Sequence, residues 1–377
     1  MQNIELINRD RVRAVCVSII IATAILLAVS LFSKDPDFGA DFAAFYNAGD
    51  GLNHGLKLYQ PGAIAELTTN APLGSTLLPF LNPPFFALPF RVLALLPYRA
   101  AYGLWLLLAI SVYVAGFLVL WPAARLPEKL KIDALLLILA FVPFQIYVLA
   151  GGQQSWFGFF WLALTFRLEF HKRDFPAGLA LSVCLYKPVL LIIILPSLLL
   201  RGRFRLLTGF AVGALALGLF SIAAVGVDGC ADYVRTMLIA IGSKTSVASV
   251  FPTWKYVDIV SFSSLLLHRK VGVWLLALAF IAVLSRRPNL TEAAAWTTPI
   301  NIYTPMYDVT LIVIPALFTY TKRRKWMYCA LFFAPWISEI SARRIGFQVM
   351  TMLLLAFAFH VRTVLKLPKD IRDSANA

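Results

Sequence analysis

The chain has 377 residues, of which 60% are hydrophobic and only 14% are charged. This composition leaves too little polar surface to cover a soluble globular protein, so it predicts an integral membrane protein. The net charge of +15 does not indicate nucleic-acid binding, because the Lys and Arg residues fall in short clusters between apolar runs, which is the distribution that orients membrane proteins.

The first predicted element is the apolar run over residues 14–32, which is about as long as a spanning helix. Three arginines precede it and no clean cleavage site follows it, so we expect an uncleaved helix that starts in the cytoplasm. If the later basic clusters are also cytoplasmic, about twelve membrane helices lie between them, and the C-terminus is cytoplasmic too. We therefore predict one all-α polytopic domain, residues 1–377, in the inner (plasma) membrane.

Two loops are predicted on the extracytoplasmic side. The first covers residues 33–84, and its middle, residues 41–58, places apolar side chains at three- and four-residue spacing, which favours an amphipathic helix lying at the membrane interface. The second covers residues 227–256 and is positioned to cap a cavity.

Asp41 lies in the first of these loops, at the outer rim of the bilayer, where an acid is able to act on an extracytoplasmic substrate. An aspartate beside glycine also caps helices, so the residues alone leave a helix cap and a chemical role open. Asp50 has the same ambiguity.

The sequence Gly151-Gly152-Gln153-Gln154 falls at the outer end of a predicted helical hairpin. It is either a tight glycine turn or a site whose amides bind sugar hydroxyls or phosphate oxygens.

Two pairs of apolar segments are too short to span a bilayer: residues 175–186 with 189–200, and residues 292–303 with 306–320. Broken or re-entrant helices are one explanation, and they predict an internal cavity, because irregular backbone at that depth needs protein or water around it. Lys187 lies at the first turn and either binds a phosphate or reaches the outer headgroups. Asp308 lies at the second turn and either caps a helix or is a buried acid in the cavity.

Arg343 and Arg344 form the one basic pair that this topology places outside the cytoplasm. Either the helix count slips there, or the pair binds an anionic ligand. The histidines and cysteines show no metal-ligand spacing, and no nucleotide-binding motif occurs, so we expect no metal site, no cofactor and no ATP-driven transport by this chain alone.

Five short motifs occur in an order that resembles glycosyltransferase family 87, over roughly residues 35–320. They are Gly39-Ala40-Asp41-Phe42 with Leu58-Tyr59, Asn82-Pro83-Pro84-Phe85-Phe86 before Leu96-Pro97-Tyr98, Gly152-Gln153, Ala177-Gly178 with Lys187-Pro188, and Tyr307-Asp308. The resemblance implies a polytopic enzyme of the GT-C type that moves a sugar, such as mannose, from a polyprenyl-phosphate donor to a lipid or glycan acceptor outside the cytoplasm.

The resemblance also implies roles for individual residues. Asp41 would be the general base of an inverting transfer, and Lys187, Arg343 and Arg344 would bind the donor phosphate. Contacts to the sugar or the acceptor are expected from Gln153, Gln154, Tyr307, Asp308 and Tyr46. Family members often carry a histidine shortly before the Tyr-Asp pair, whereas this chain has Tyr303, Thr304 and Met306 there, so mannose and arabinofuranose both stay open.

Three other functions compete with this interpretation: a transporter or flippase for lipid-linked glycans, a ligase that moves a whole oligosaccharide, and a structural subunit of an envelope-polymer assembly. A transporter built from inverted repeats should have matching halves, and the two broken pairs differ in flanking length and charge. A ligase should carry more basic residues in its second outer loop than this chain does.

Overall fold

The computed structural model describes residues 2–32, 39–60, 80–124, 126–242, 253–267, 269–321 and 325–367. These residues form helices and turns and contain no β-strand, which confirms the predicted all-α class. Parts of the two predicted outer loops, residues 33–38, 61–79 and 243–252, lie outside the described residues.

The described residues form fifteen α-helices. In chain order they are α1 (Gln2–Phe32), α2 (Ala40–Asn53), α3 (Pro84–Leu93), α4 (Tyr98–Ala124), α5 (Lys131–Leu139), α6 (Ser155–Phe170), α7 (Asp174–Ser182), α8 (Ile194–Leu200), α9 (Phe204–Gly242), α10 (Ile259–Leu266), α11 (Arg269–Leu284), α12 (Leu290–Thr297), α13 (Val313–Thr319), α14 (Lys325–Ile345) and α15 (Val349–Lys366). A π-helix over Pro143–Ala150 follows α5.

Four helical stretches in the described part of the chain are long and apolar enough to cross a membrane: Arg9–Phe32, Tyr98–Ala124, Phe204–Ile239 and Val349–Lys366. A fifth span results if Glu128–Leu139 and Pro143–Ala150, which meet at 53°, are counted as one broken helix. The protein is therefore polytopic, but the predicted count of about twelve spans is not confirmed. Many of the predicted spans are apolar helices of 10–17 residues, too short to cross alone.

Both predicted broken pairs are present as short helices. α7 ends in a 3-10 turn over Val183–Tyr186, and a second 3-10 turn, Pro188–Leu191, leads to α8. The later pair consists of α12 and a 3-10 turn, Met306–Ile312, which continues into α13. The segment predicted as the second outer loop is helical as far as Gly242, because α9 continues beyond a kink at Gly226.

The chain divides into two compact units that interleave in sequence, and the single polytopic domain stays a prediction. The first unit comprises Met1–Ala115, Pro127–Phe157 and Leu215–Val250, and the second comprises Gly116–Leu126, Gly158–Ala214 and Phe251–Ala377. Each unit is described separately below.

In the first unit, α2 is buried on all sides from Phe42 to Gly49. The rings of Phe42, Phe45, Phe90 and Trp105 pack with centroids 5.0–6.4 Å apart. At Gly49 the helix lies so close to α3 that a Cβ would sit 2.2 Å from the Phe90 carbonyl. The predicted helix is thus present, but within its unit it lacks the free polar face expected of an interfacial helix.

In the second unit, small residues bring α7 and α9 together. A Cβ on Gly178 would lie 2.0 Å from the Leu206 carbonyl oxygen, and a Cβ on Gly209 would lie 2.1 Å from that of Phe175. At Gly213, one turn beyond Gly209, a Cβ would lie 2.1 Å from the side-chain oxygen of Ser182. Small residues four apart on both helices permit this backbone contact, as is common between helices in membranes.

We predict that Gly209→Ala lowers the stability of the protein by at least about 2 kcal/mol, because the added methyl group overlaps backbone that cannot move independently. The matched control is Gly218→Ala on the same helix, where nothing lies within 4 Å of the new Cβ. There the gain in helix propensity should stabilise by about 0.5–1 kcal/mol. Thermal unfolding in detergent measures both, and equal melting temperatures for the two variants would contradict the packing.

Candidate active site

Asp41 lies in the first turn of α2 and does not cap it. The N-cap is Gly39, which has a left-handed backbone (φ 70°), and no side chain caps this helix end. The helix-cap interpretation of Asp41 is therefore wrong. Its half-buried carboxylate is also favourably placed near the positive end of the helix dipole.

The glycine turn at residues 151–152 lies directly against the start of α2. The Asp41 amide donates a hydrogen bond to the Gly151 carbonyl at 3.2 Å, and a Cβ on Gly151 would lie 3.2 Å from Asp41 Oδ2. Gly152 has φ +81°, and a Cβ there would be 2.5 Å from the Phe42 Cβ. The structure thus brings Asp41 and the Gly-Gly-Gln-Gln segment, which the sequence presents as separate candidates, to one place.

Aromatic residues of α4 hold both partners of this contact. The Tyr98 hydroxyl donates to the Gly39 carbonyl at 2.9 Å, and the Tyr102 hydroxyl donates to the Ala150 carbonyl at 3.0 Å. Trp105 Nε1 donates to the Gly152 carbonyl at 2.9 Å. These three side chains were missed by the sequence interpretation, although Tyr98 belongs to one of the motifs quoted above.

Gln153 and Gln154 follow the glycine turn and are both buried, with 7% and 4% of their surface exposed. Neither Oε1 atom has a hydrogen-bond partner among the described residues, and the same holds for Nε1 of Trp156. Buried polar atoms normally have a hydrogen-bond partner, so three unpaired atoms in one short segment are unusual.

Tyr46 is buried one turn after Asp41, and its hydroxyl donates to the Leu96 carbonyl at 2.8 Å. Burial, together with the nearby Asp50, raises the pKa of the Tyr46 phenol, so the hydroxyl keeps its proton at neutral pH. Tyr46 therefore has a structural partner in addition to any contact with a ligand.

In the second unit, Lys187 and Asp308 form a buried ion pair with Nζ and Oδ2 2.5 Å apart. The Lys187 side chain is 9% exposed and that of Asp308 is 2% exposed. Asp308 follows the helix N-cap, Pro305, by three residues, and no side chain caps that end. Of the two interpretations of Asp308, the structure therefore favours the buried acid.

Two tyrosines enclose the Lys187 ammonium group. Nζ lies 4.3 Å from the ring centroid of Tyr307 and 5.3 Å from that of Tyr303, within the range of cation–π attraction. The structure thus groups Lys187, Tyr307 and Asp308, three of the predicted site residues, and adds Tyr303 to them.

Asp258 fixes the backbone that carries this group. It is fully buried, caps α10 through the Ser261 amide, and accepts a further hydrogen bond from the Thr304 amide at 3.0 Å. The Val257 amide donates to the Thr304 carbonyl at 2.8 Å, so both sides of the turn at Thr304 are held. An aspartate three residues before a serine at a helix start was a signal available in the sequence.

A cavity of about 20 Å³ lies beside the ion pair, enough for a water molecule. Asp308, Thr304, Asn301 and Thr297 give it a polar side, and Leu190, Leu191 and Ile194 are among its apolar lining residues. The Thr304 hydroxyl is buried and has no partner among the described residues, which is consistent with a bound water.

Arg343 and Arg344 lie at the C-terminal end of α14 and are exposed. Arg343 pairs with Glu339 at 2.7 Å, and its guanidinium stacks 3.7 Å from the ring centroid of Trp254. Within the part of the chain that the structure describes, no group of three or more His, Cys, Asp or Glu side chains is placed to hold a metal ion.

Comparison with known proteins gives one family. The family model of glycosyltransferase family 87 matches residues 80–306, well over half of the chain. Gln153, Gln154 and Lys187 lie inside the matched region, whereas Asp41 precedes it and Asp308 follows it. No curated protein and no solved structure matches the chain.

We predict that Gly152→Ala lowers the stability of the first unit by more than the conformational cost of an alanine in the left-handed backbone region. The conformational cost at a positive φ is about 1–2 kcal/mol, and the contact with Phe42 adds to it. Gly55→Ala is the control, because Gly55 has φ +73° but nothing within 4 Å of a new Cβ. Unfolding midpoints in detergent give the difference, and an equal loss in both variants would refute close packing of the turn on α2.

We predict that Lys187→Met and Asp308→Leu each cost about 3–5 kcal/mol, because each leaves one buried charge without its partner. The double variant should lose much less than the sum, since it buries no charge. A double-mutant cycle by thermal unfolding measures the coupling. Losses that simply add would show that the two groups do not depend on each other.

Proposed function

The chain belongs to glycosyltransferase family 87, and from this premise we propose that it transfers one sugar, mannose, from a polyprenyl-phosphate donor to a lipid or glycan acceptor on the extracytoplasmic side of the membrane. Family membership together with the apolar helices makes the protein a membrane glycosyltransferase. We propose in addition the donor, the sugar, the side of the membrane and the roles of the individual residues.

Asp41 is the proposed general base. The observation that carries this role is its position, since the carboxylate is half-buried beside the Gly151 turn and is not used to cap α2. Asp41 would accept the proton of the acceptor hydroxyl while that oxygen forms a bond to the anomeric carbon. The bond from that carbon to the phosphate oxygen breaks in the same step, so polyprenyl phosphate leaves and the configuration inverts.

Lys187 is the proposed contact for the donor phosphate. Its ammonium group has three N–H donors, and it pairs with Asp308 beside two tyrosine rings. A phosphate would then share the lysine with Asp308 and gain stabilisation as charge develops on the leaving oxygen.

The remaining predicted site residues are proposed to contact the sugar, the phosphate or the acceptor. Gln153 and Gln154 are proposed to bind sugar hydroxyls, and Tyr307 and Asp308 to contact the sugar through the group around Lys187. Arg344 is an exposed cation suited to a phosphate arriving from the membrane, whereas Arg343 would have to share its charge with Glu339. Tyr46 would contact the acceptor while still donating to Leu96.

We predict that Asp41→Asn lowers the rate of sugar transfer by about 10²- to 10⁴-fold while folding and donor binding stay nearly intact, because only proton acceptance is lost. Purified protein in detergent is assayed with a short-chain polyprenyl-phosphate mannose and, in parallel, with polyprenyl-phosphate arabinofuranose and a nucleotide sugar. Asp50→Asn, at the other end of the same helix, is the matched control and should keep transfer.

Two results would contradict the proposal. Full transfer by the Asp41→Asn variant would eliminate the general base. Transfer from the nucleotide sugar, with none from either lipid-linked donor, would eliminate the lipid phosphate.

A further inference from the structure

Three of four consecutive residues in the first unit each bury an unpaired polar atom. They are Gln153, Gln154 and Trp156, at 7%, 4% and 4% exposure, and the atoms are the two Oε1 oxygens and the indole Nε1. None has a hydrogen-bond partner among the described residues. A buried polar atom without a partner costs about 1–3 kcal/mol, so three in one short segment mark a site built for something other than stability.

The surroundings of these atoms are firmly held. Trp156 packs edge-on against Trp105 with ring centroids 4.9 Å apart, and Trp105 donates its own N–H to the Gly152 carbonyl. The same Gly151–Gly152 turn lies against Asp41. The backbone next to the unpaired atoms is therefore held in place, and it lies beside the proposed general base.

The chemistry of the three atoms selects a ligand class. The indole N–H only donates, whereas the two unpaired glutamine atoms are carbonyl oxygens, which only accept. A ligand that satisfies all three must therefore both donate and accept. Hydroxyl groups do this, whereas a fully ionised phosphate only accepts and a metal cation cannot pair with the indole N–H.

We propose that Gln153, Gln154 and Trp156 form a hydroxyl-binding strip for a sugar ring of the acceptor. This inference rests on the proposed function, because it places the acceptor beside Asp41, which must reach the acceptor hydroxyl. The two glutamine oxygens and the indole nitrogen are covered in the ligand-free chain, so sugar binding includes rotation of the glutamine amides and a small movement of the Trp156 ring.

The test uses apolar variants of similar shape: Gln153→Leu, Gln154→Leu and Trp156→Phe. Each removes an unpaired atom, so the melting temperature should hold or rise in the two leucine variants and fall less in Trp156→Phe, which also loses buried ring area, than in the control below. KM for the acceptor should rise roughly 3- to 10-fold in each, with KM for the donor unchanged. The matched control is Trp105→Phe, which removes an indole N–H that is already paired and should lower the melting temperature.

A second measurement needs no donor. Binding of methyl α-mannopyranoside and methyl α-arabinofuranoside to the purified protein is followed by saturation-transfer NMR, in the wild type and in the three variants. We expect wild-type binding to at least one glycoside and a weaker signal in each variant.

The outcomes separate this inference from the proposed donor. If the wild type transfers no sugar from lipid-linked donors, yet binds a glycoside that the variants lose, the donor proposal fails and the strip stands. If transfer occurs but the variants keep their acceptor KM, or raise the donor KM instead, the strip is overturned. Failure of the wild type to bind either glycoside also overturns it.

Discussion

The position of Asp41 depends on one backbone contact, the approach of the Gly151–Gly152 turn to the first turn of α2. Neither glycine leaves room for a side chain, and the Asp41 amide is bound to the Gly151 carbonyl. Because the turn itself is held by Tyr102 and Trp105 of α4, the carboxylate has a fixed backbone. No side chain caps this helix start, so capping is not the role of the Asp41 carboxylate.

The second unit buries two charged side chains inside an apolar protein. Lys187 lies between two apolar helical segments that are each too short to span a membrane, and Asp308 lies in the 3-10 turn that opens a third such segment. Ion pairing and two tyrosine rings offset the loss of water around the lysine. At Thr304, where the backbone is not in a regular helix, the Asp258 carboxylate accepts the hydrogen bond of the backbone amide. Irregular backbone and buried charge thus occur together, as is expected at functional sites in membrane proteins.

The sequence was sufficient for features that depend on local composition. Apolar runs predicted the all-α membrane class, and prolines between close basic clusters predicted the two broken pairs. Features that depend on distant residues were not predictable in this way. Lys187 and Asp308 are 121 positions apart, and nothing local marks them as partners. Likewise, the spacing in α2 predicted a helix, but its burial follows from aromatic residues of α3 and α4. The predicted count of about twelve spans includes several short apolar helices and is not confirmed, because length and composition alone identify four or five.

The most direct test of the general base is a cryo-electron microscopy structure of the protein with a non-transferable polyprenyl-phosphate sugar and an acceptor glycoside bound. The account predicts an Asp41 carboxylate oxygen within about 3.2 Å of the acceptor hydroxyl that faces the anomeric carbon. An acceptor hydroxyl held by a different base, with Asp41 out of hydrogen-bond reach and no water between them, would contradict it.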